Sequence, residues 1–228
     1  MYILRQHQED IIEQAMAAIT FGETKLMMDC PPAYGKALII TEIARINQNN
    51  GVIIMINISA LLEQIAAHLD EQGVTYSILK SDYTNHFDPD CKVQLIMAQT
   101  LHARIGKIKF NHKFKIMQID EGHIAHPDVS KRTADCIDFI KPEVQILYSG
   151  TPYTAEGYAF SGYEYLSNLG TQELQDAGFL CPIKYFVPKW AEEIDFSDIK
   201  TTTNEYNTVE LDKIINTTLF IIKLLKES

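Results

Sequence analysis

Lys25-Leu-Met-Met-Asp-Cys-Pro-Pro-Ala-Tyr-Gly-Lys-Ala37 decides the fold. Its first half is a short apolar run of strand length, its middle is a Pro-Pro turn, and Gly35-Lys36 opens a helical pattern, Lys36 to Ile46. A strand, a tight loop and a helix in that order build a phosphate cradle. The exposed N–H groups at the helix start and the positive end of its dipole both favour an anion. Lys36 would reach the β- and γ-phosphates of a nucleotide as a point charge. The strict pattern G-x-x-x-x-G-K-S/T is broken twice, by Cys30 for the first Gly and by Ala37 for the hydroxyl residue. Ala33 stands where an inner Gly is common. Alone, the loop divides evenly between a phosphate site and an ordinary turn.

Outward from this loop, short β-rich runs alternate with longer helical patterns. Ile11, Ile12, Ala15, Met16 and Ile19 recur at the helical period from a start near Arg5, and Gly22 follows the end. Strands are expected at Lys25–Cys30, Val52–Asn57, Tyr76–Leu79, Val93–Met97, Ile116–Ile119 and Val144–Tyr148. Ser59 is expected to cap a helix to about Glu71 with Leu61, Leu62, Ile65, Ala66 and Leu69 on its buried face. Such runs fit strands buried on both faces, hence an α/β fold with a mostly parallel, doubly wound sheet flanked by helices and right-handed crossovers. Ligands then bind at the carboxyl ends of the strands.

Beyond Pro152 the texture changes. Residues 153–170 read as a loop with a short helix, Thr171–Ala177 as a helix stopped by Gly178, and Ile183–Val187 as a last strand. Residues 190–207 are polar and irregular, and Val209–Leu225 reads as a terminal helix apolar over more than half its circumference. The expected organisation is one domain over 1–188, followed by a linker and helix over 189–228.

The 228 residues carry 20 Lys+Arg against 30 Asp+Glu, a formal charge of −10, with 46% apolar and 22% charged residues. These ordinary globular values exclude disorder and fibrous repeats, and the acidic balance excludes gripping nucleic acid by bulk charge. Apolar runs such as Val52–Ile56 fall far short of the roughly 20 residues that span a bilayer. The N-terminus lacks a signal-peptide layout, so a soluble cytoplasmic protein without membrane partners is expected. Cys30, Cys91, Cys136 and Cys181 are widely spaced and fit reduced thiols better than zinc or a disulfide framework.

Two further elements follow strands. Ile116–Ile119 runs into Asp120-Glu121-Gly122-His123, acids placed where a phosphate-bound Mg²⁺ would lie. Asp120 would hold the ion through water and Glu121 would orient or deprotonate the attacking water. The plain alternative is a solvated Asp-Glu at a strand end. Tyr148-Ser-Gly-Thr-Pro152 ends the next strand, and its hydroxyls can relay hydrogen bonds from the acidic pair; the plain alternative is a turn.

With these elements in place, the chain resembles the first RecA-like domain of a superfamily 2 helicase, of the restriction-enzyme-type and phage DEAD/DEAH-like group. The likeness runs from Leu4 to Val187. Leu4-Arg5-Gln6-His7-Gln8 resembles the adenine-recognition element, with Gln8 reading the base edge and Arg5 supporting it. Residues Cys30 to Ala37 resemble motif I, so Pro32, Ala33, Tyr34, Gly35, Lys36 and Ala37 are implied to surround ATP. Asp120 to His123 resemble motif II, and Ser149 to Pro152 motif III, which implies coupling roles for His123, Ser149 and Thr151. Gln64, after Leu61-Leu62-Glu63, and Gln99 and Thr100 match segments that meet a nucleic-acid backbone. Ala177-Gly-Phe-Leu-Cys-Pro-Ile183 resembles the G-(Y/F)-L-x-P approach to the domain's last strand.

The resemblance implies an ATP- and Mg²⁺-dependent DNA helicase or translocase motor, with DNA rather than RNA as the partner on family likeness alone. Two departures qualify it. Family members carry Thr or Ser at the position of Ala37, a direct Mg²⁺ ligand, so hydrolysis should suffer. The chain stops where a second RecA-like domain with its arginine finger is expected; such fingers are worth roughly 10³–10⁵ in phosphoryl-transfer rate. A weak or inactive isolated domain is therefore expected. A non-hydrolysing nucleotide-binding module is the main alternative, and a small-molecule kinase, lacking an arginine-rich lid, a distant third. Finally, Cys91 to Ile119 contains no acid but carries Lys92, Arg104, Lys107, Lys109, Lys113 and Lys115. That strip is either a phosphate-neutralising surface or a solvated loop with Phe110 and Phe114 packed inward.

Overall fold

The computed structural model describes residues 3–81, 87–153 and 160–181, together with the backbone of 201–202 and 205–206. Two compact units are distinguished, Met1–Cys181 and Pro182–Ser228. In the second, Thr201–Thr202 (β8) and Glu205–Tyr206 (β9) pair antiparallel. The expected strand 183–187 and helix 209–225 lie outside the described residues.

The first unit alternates as the sequence pattern dictates. Helix α1 (Gln6–Thr20) leads to β1 (Lys25–Asp29), α2 (Lys36–Asn47), β2 (Val52–Ile56), α3 (Ser59–Glu71), β3 (Ser77–Leu79) and β4 (Val93–Met97). Then come α4 (Ala98–Ala103), β5 (Ile116–Ile119), α5 (Gly122–Ala125), α6 (Lys131–Ile140), β6 (Val144–Ser149), β7 (Glu164–Leu166) and α7 (Thr171–Asp176). Seven strands form one parallel sheet in the order β3-β4-β2-β5-β6-β1-β7.

Every residue of β2, β4 and β5 is buried, because helices cover both faces and alternate side chains enter opposite cores. Leu26, Met28 and Ile54 pack with Ile11 of α1, Ile39 of α2 and Ile65 of α3. Met27, Ile53 and Met117 pack on the other face with Leu101 of α4, Ala125 of α5 and Cys136 of α6. This is the doubly wound α/β fold.

Two expectations are corrected. Residues 153–170 contain β7, an edge strand pairing parallel to β1, rather than a loop with a short helix alone. Three residues on one neighbour give too little periodicity to register as a strand. Ser59 does not cap α3: it is the first helical residue, and extended Ile58 holds the cap position without a side-chain cap.

The basic strip is placed by the strand ends. Lys92 accepts the N–H of Val52 on its carbonyl at 2.8 Å, and Lys115 donates to Gly51, so both sit at the amino edge of the sheet. Phe114 is buried there, and Phe110 meets it edge-on at 5.1 Å. The aromatics pack inward, and Lys92, Lys107, Lys109 and Lys113 are solvated.

Candidate active site at the carboxyl edge

Because β6 lies between β1 and β5, the residues following these three strands converge on one rim. Asp29 is in register with Ser149, and Cys30 donates its N–H to the Ser149 carbonyl at 2.7 Å. A cleft of about 350 Å³ opens here between residues 30–36, Glu121, His123, Gly150 and Thr151. A larger depression of about 510 Å³, at residues 70–78, has only Asp70 as a charged wall and lies away from these groups.

The loop is held from behind. Gly35 has φ 85°, and Ala33 is left-handed at φ 64°, which explains why glycine is common at such a position. Tyr34 donates its N–H to the Pro31 carbonyl at 3.1 Å. Its ring is fully buried, and its hydroxyl meets Asn168 and the His7 carbonyl. Tyr34 therefore offers the cleft only backbone. Its carbonyl accepts from Gln8 Nε2 at 2.8 Å and faces His7 Nε2 at 3.2 Å. Gln8 Oε1 in turn accepts the Arg5 N–H at 2.9 Å, while Arg5 Nη1 donates to the Ala33 carbonyl at 3.4 Å. The first helical amides, of Lys36 and Ala37, and that of Gly35 have no acceptor among the described residues.

Lys36 spans the cleft. Its Nζ lies 2.5 Å from Asp120 Oδ1 and 3.1 Å from Glu121 Oε1. Burial alone would lower the Lys36 ammonium, yet Asp120 and Glu121 outweigh it and hold it above its ordinary value. Burial pushes the Asp120 carboxyl up, and Lys36 offsets this only in part. With two acids facing one ammonium, Lys36 is charged.

Asp120 is 1% exposed. Its Oδ1 meets Lys36 off the hydrogen-bonding direction, and its Oδ2 has no hydrogen-bond partner among the described residues. An orphaned carboxylate oxygen fits a hydrated hard cation such as Mg²⁺, which is commonly held by one or two carboxylates plus phosphates. No three His, Cys, Asp or Glu side chains are arranged to hold a metal ion by themselves among the described residues, so a cage built wholly from protein is not offered. Ala37 brings no hydroxyl, and the Thr41 hydroxyl one turn on is already donated to the Ala37 carbonyl at 2.8 Å.

Glu121 has φ 55°, a left-handed conformation rare outside glycine, and it turns the chain from β5 into α5. His123 Nδ1 lies 2.8 Å from Ser149 Oγ and 3.5 Å from Glu121 Oε2. Ser149 is buried and accepts the Thr151 N–H at 3.0 Å. His123, Ser149 and Thr151 thus join the acids to the end of β6. Gly122 has a packing reason as well: a β-carbon there would lie 3.0 Å from Leu147 Cβ and 3.3 Å from the Tyr148 carbonyl.

Gln99 and Thr100 open α4, and Gln64 lies exposed in α3. These helices follow the adjacent strands β4 and β2, so both start from the same edge of the sheet, with Gln64 in the second turn of α3. Asn168 and Phe179 also brace the loop and α1, and neither was expected. An isolated Asn after an unrecognised strand carries no local signal; Phe179 stood in the quoted Gly-Phe-Leu motif without a role.

The sequence profile of the type III restriction enzyme res subunit matches residues 1–154. The chain belongs to that family. No curated protein sequence matches it significantly. Among solved structures, the type ISP restriction-modification enzyme LlaGI, a nuclease-deletion mutant bound to a DNA substrate mimic, superposes with TM-score 0.60 at 14% identity. That match covers 78% of this chain and 21% of the other. The Sulfolobus solfataricus SWI2/SNF2 ATPase core, in complex with dsDNA, gives 0.53 at 18% identity, covering 66% and 32%. The UvsW helicase of bacteriophage T4 gives 0.50 at 18%, covering 65% and 52%.

At these identities the likeness is one of fold. Together with the family match, it makes the described unit of this type III res-family chain a first RecA-like domain of superfamily 2, a helicase-type motor domain. The chain spans between about a fifth and a half of those neighbours' lengths. Among the described residues, no helix is long and apolar enough to cross a membrane.

Proposed function

We propose that this chain binds Mg-ATP and forms the catalytic half of an ATP-dependent helicase or translocase acting on DNA. The observation that carries the reading is Lys36 Nζ bridging Asp120 and Glu121 across a cleft whose Gly35–Ala37 amides have no acceptor among the described residues. In this reading Lys36 takes the β- and γ-phosphate charge, and the Gly35–Ala37 amides complete the cradle. Asp120 would hold Mg²⁺ through water, and the ion would supply neutralisation of charge on the phosphoryl group. Glu121 accepts a proton from the attacking water when phosphate draws Lys36 away from it. His123 passes the state of the acids to Ser149 and Thr151, and Gln64, Gln99 and Thr100 meet the nucleic-acid backbone. Residues 1–188 form this domain, and 189–228 lead towards a second RecA-like domain that would supply an arginine finger. Function in the cytoplasm accords with this role.

Joining the chain to such a second domain and measuring ATP hydrolysis tests the reading. DNA-stimulated turnover is expected, at a reduced rate because Ala37 offers no hydroxyl to a metal ion. A joined protein that binds no ATP and stays inert would refute it.

Ala37 favours a second reading, a nucleotide-binding module that does not hydrolyse. Ala37→Thr should then raise Mg²⁺-dependent nucleotide affinity. Identical binding and hydrolysis with either residue would remove the reason for this second reading.

A further inference from the structure

The edge of the sheet opposite the cleft carries an aromatic pocket with lysines around it. A depression of about 190 Å³ opens there between the segment 108–114 and the end of α6 at Phe139 and Ile140. Its walls are rings: Phe110 meets Phe114 edge-on and Phe139 at 6.5 Å, and His112 lies 4.5 Å from Phe114. Lys107, Lys109 and Lys113 are exposed on the same segment. Lys92 is exposed beside them, close enough to His112 to add to the effect of burial in disfavouring its protonation. Among the described residues the lysine ion pairs involve Lys36, Lys80 and Lys131, and none of these four. Asp90, the acid facing His112, is already engaged by Asn111 Nδ2 at 2.8 Å. In a chain of net charge −10, four unpaired ammoniums at one edge make a local surface for an anion.

Charge alone would suit any polyanion, and the pocket narrows the choice. Aromatic walls take the face of an unstacked base, and lysines take the phosphates on either side of it. His112 Nε2 is buried without a hydrogen-bond partner among the described residues. A base brings ring nitrogens and exocyclic groups to pair with it, which an apolar side chain lacks. A duplex keeps its bases stacked and paired, so the pocket selects a single strand. The surface is also separate from the groove of the motor reading. The helices that carry Gln64, Gln99 and Thr100 start from the carboxyl edge, whereas Lys92 and Lys115 mark the amino edge.

We propose that this amino-edge surface is a second binding site, for single-stranded DNA, in which one base enters the aromatic pocket and Lys107, Lys109 and Lys113 hold the adjoining phosphates. The choice of DNA rests on the motor reading above; the surface itself needs no nucleotide.

Fluorescence anisotropy of a labelled oligothymidylate with the full chain, without nucleotide and over a series of salt concentrations, tests it. A duplex, an RNA strand of equal length and polyglutamate serve as competitors. Lys107→Ala/Lys109→Ala/Lys113→Ala should weaken the single strand at least tenfold and flatten the slope of log K against log salt by about two. Phe110→Leu, which keeps apolar bulk without a stacking face, should weaken it about fivefold and leave the slope unchanged. Gln64→Ala/Gln99→Ala/Thr100→Ala should leave both effects in place. Parental affinity and slope in the lysine variant, polyglutamate or a duplex competing as well as the strand, or a tenfold preference for RNA would overturn the site. Should Phe110→Leu not fold, the exposed lysines and the competitors decide on the same criteria. A parent that binds no DNA at low salt would overturn the site too, and the motor reading is then decided separately by ATP hydrolysis of the joined protein.

Discussion

The side-chain amide of Gln8 occupies the space that a β-carbon on Gly35 would need: the two would lie 2.1 Å apart. Gln8 cannot simply swing aside, because its amide is bonded to Tyr34 and Arg5. Gly35 is thus demanded twice, by its left-handed φ and by this approach from α1. Gly35→Ala should cost about 1–2 kcal/mol for the backbone and further for the clash. In a Gln8→Ala background only the backbone cost should remain. A double-mutant cycle by chemical denaturation measures the difference, and additive losses would show that the amide is free to move.

Glu121 faces Lys36 at 3.1 Å, where a phosphate must compete for the same ammonium. Glu121→Gln removes one negative charge and one competitor. Nucleotide affinity should rise severalfold, while any hydrolysis by the joined protein should fall about 10²–10⁴-fold. Calorimetry and phosphate release measure the two effects separately. A fall in affinity would place Glu121 away from the phosphates.

Gly122 meets the backbone of β6, and Tyr148, whose carbonyl is involved, is buried within the sheet. Alanine at this position is not neutral. Gly122→Ala should destabilise the fold by about 1–3 kcal/mol through overpacking, read as a lowered denaturation midpoint. Unchanged stability would mean that β6 yields easily.

His126 is buried, stacked on Phe160 at 4.2 Å, and its Nδ1 accepts the Asp128 N–H at 3.2 Å. Burial lowers its proton affinity, with Asp128 partly opposing and Lys25 adding to the shift; His112 is lowered too, first by burial and then by Lys92. Both groups bind protons more readily once unfolded, so stability should be complete above the ordinary value near 6.5 and fall as pH drops below it. The slope for each is at most about 1.4 kcal/mol per pH unit. Tm measured between pH 7.5 and 5 should show this, and His126→Asn should flatten the slope. An unaltered slope would assign the effect to other groups.

Much of the site was legible because its residues follow strands, and strands buried on both faces leave continuous apolar runs such as Val52–Ile56. Lys36, Asp120 and Ser149 could each be set at a strand end by local pattern. β7 was not legible, since an edge strand of three residues needs its neighbour β1 to exist at all. Nor could the basic strip be placed: its lysines cluster in sequence, yet strand direction sends Lys92 and Lys115 to the edge opposite the cleft.

What the sequence determined by itself is the succession of strands, loops and helices, since that rests on short-range periodicity and on which residues tolerate a turn. What the tertiary structure alone decided is adjacency. The sheet order inserts β6 between β1 and β5, bringing Ser149 to His123, while the returning chain sets Asn168 and Phe179 against the first helix. Contacts between residues far apart in the chain leave no periodic trace in it; the packing of distant surfaces selects them.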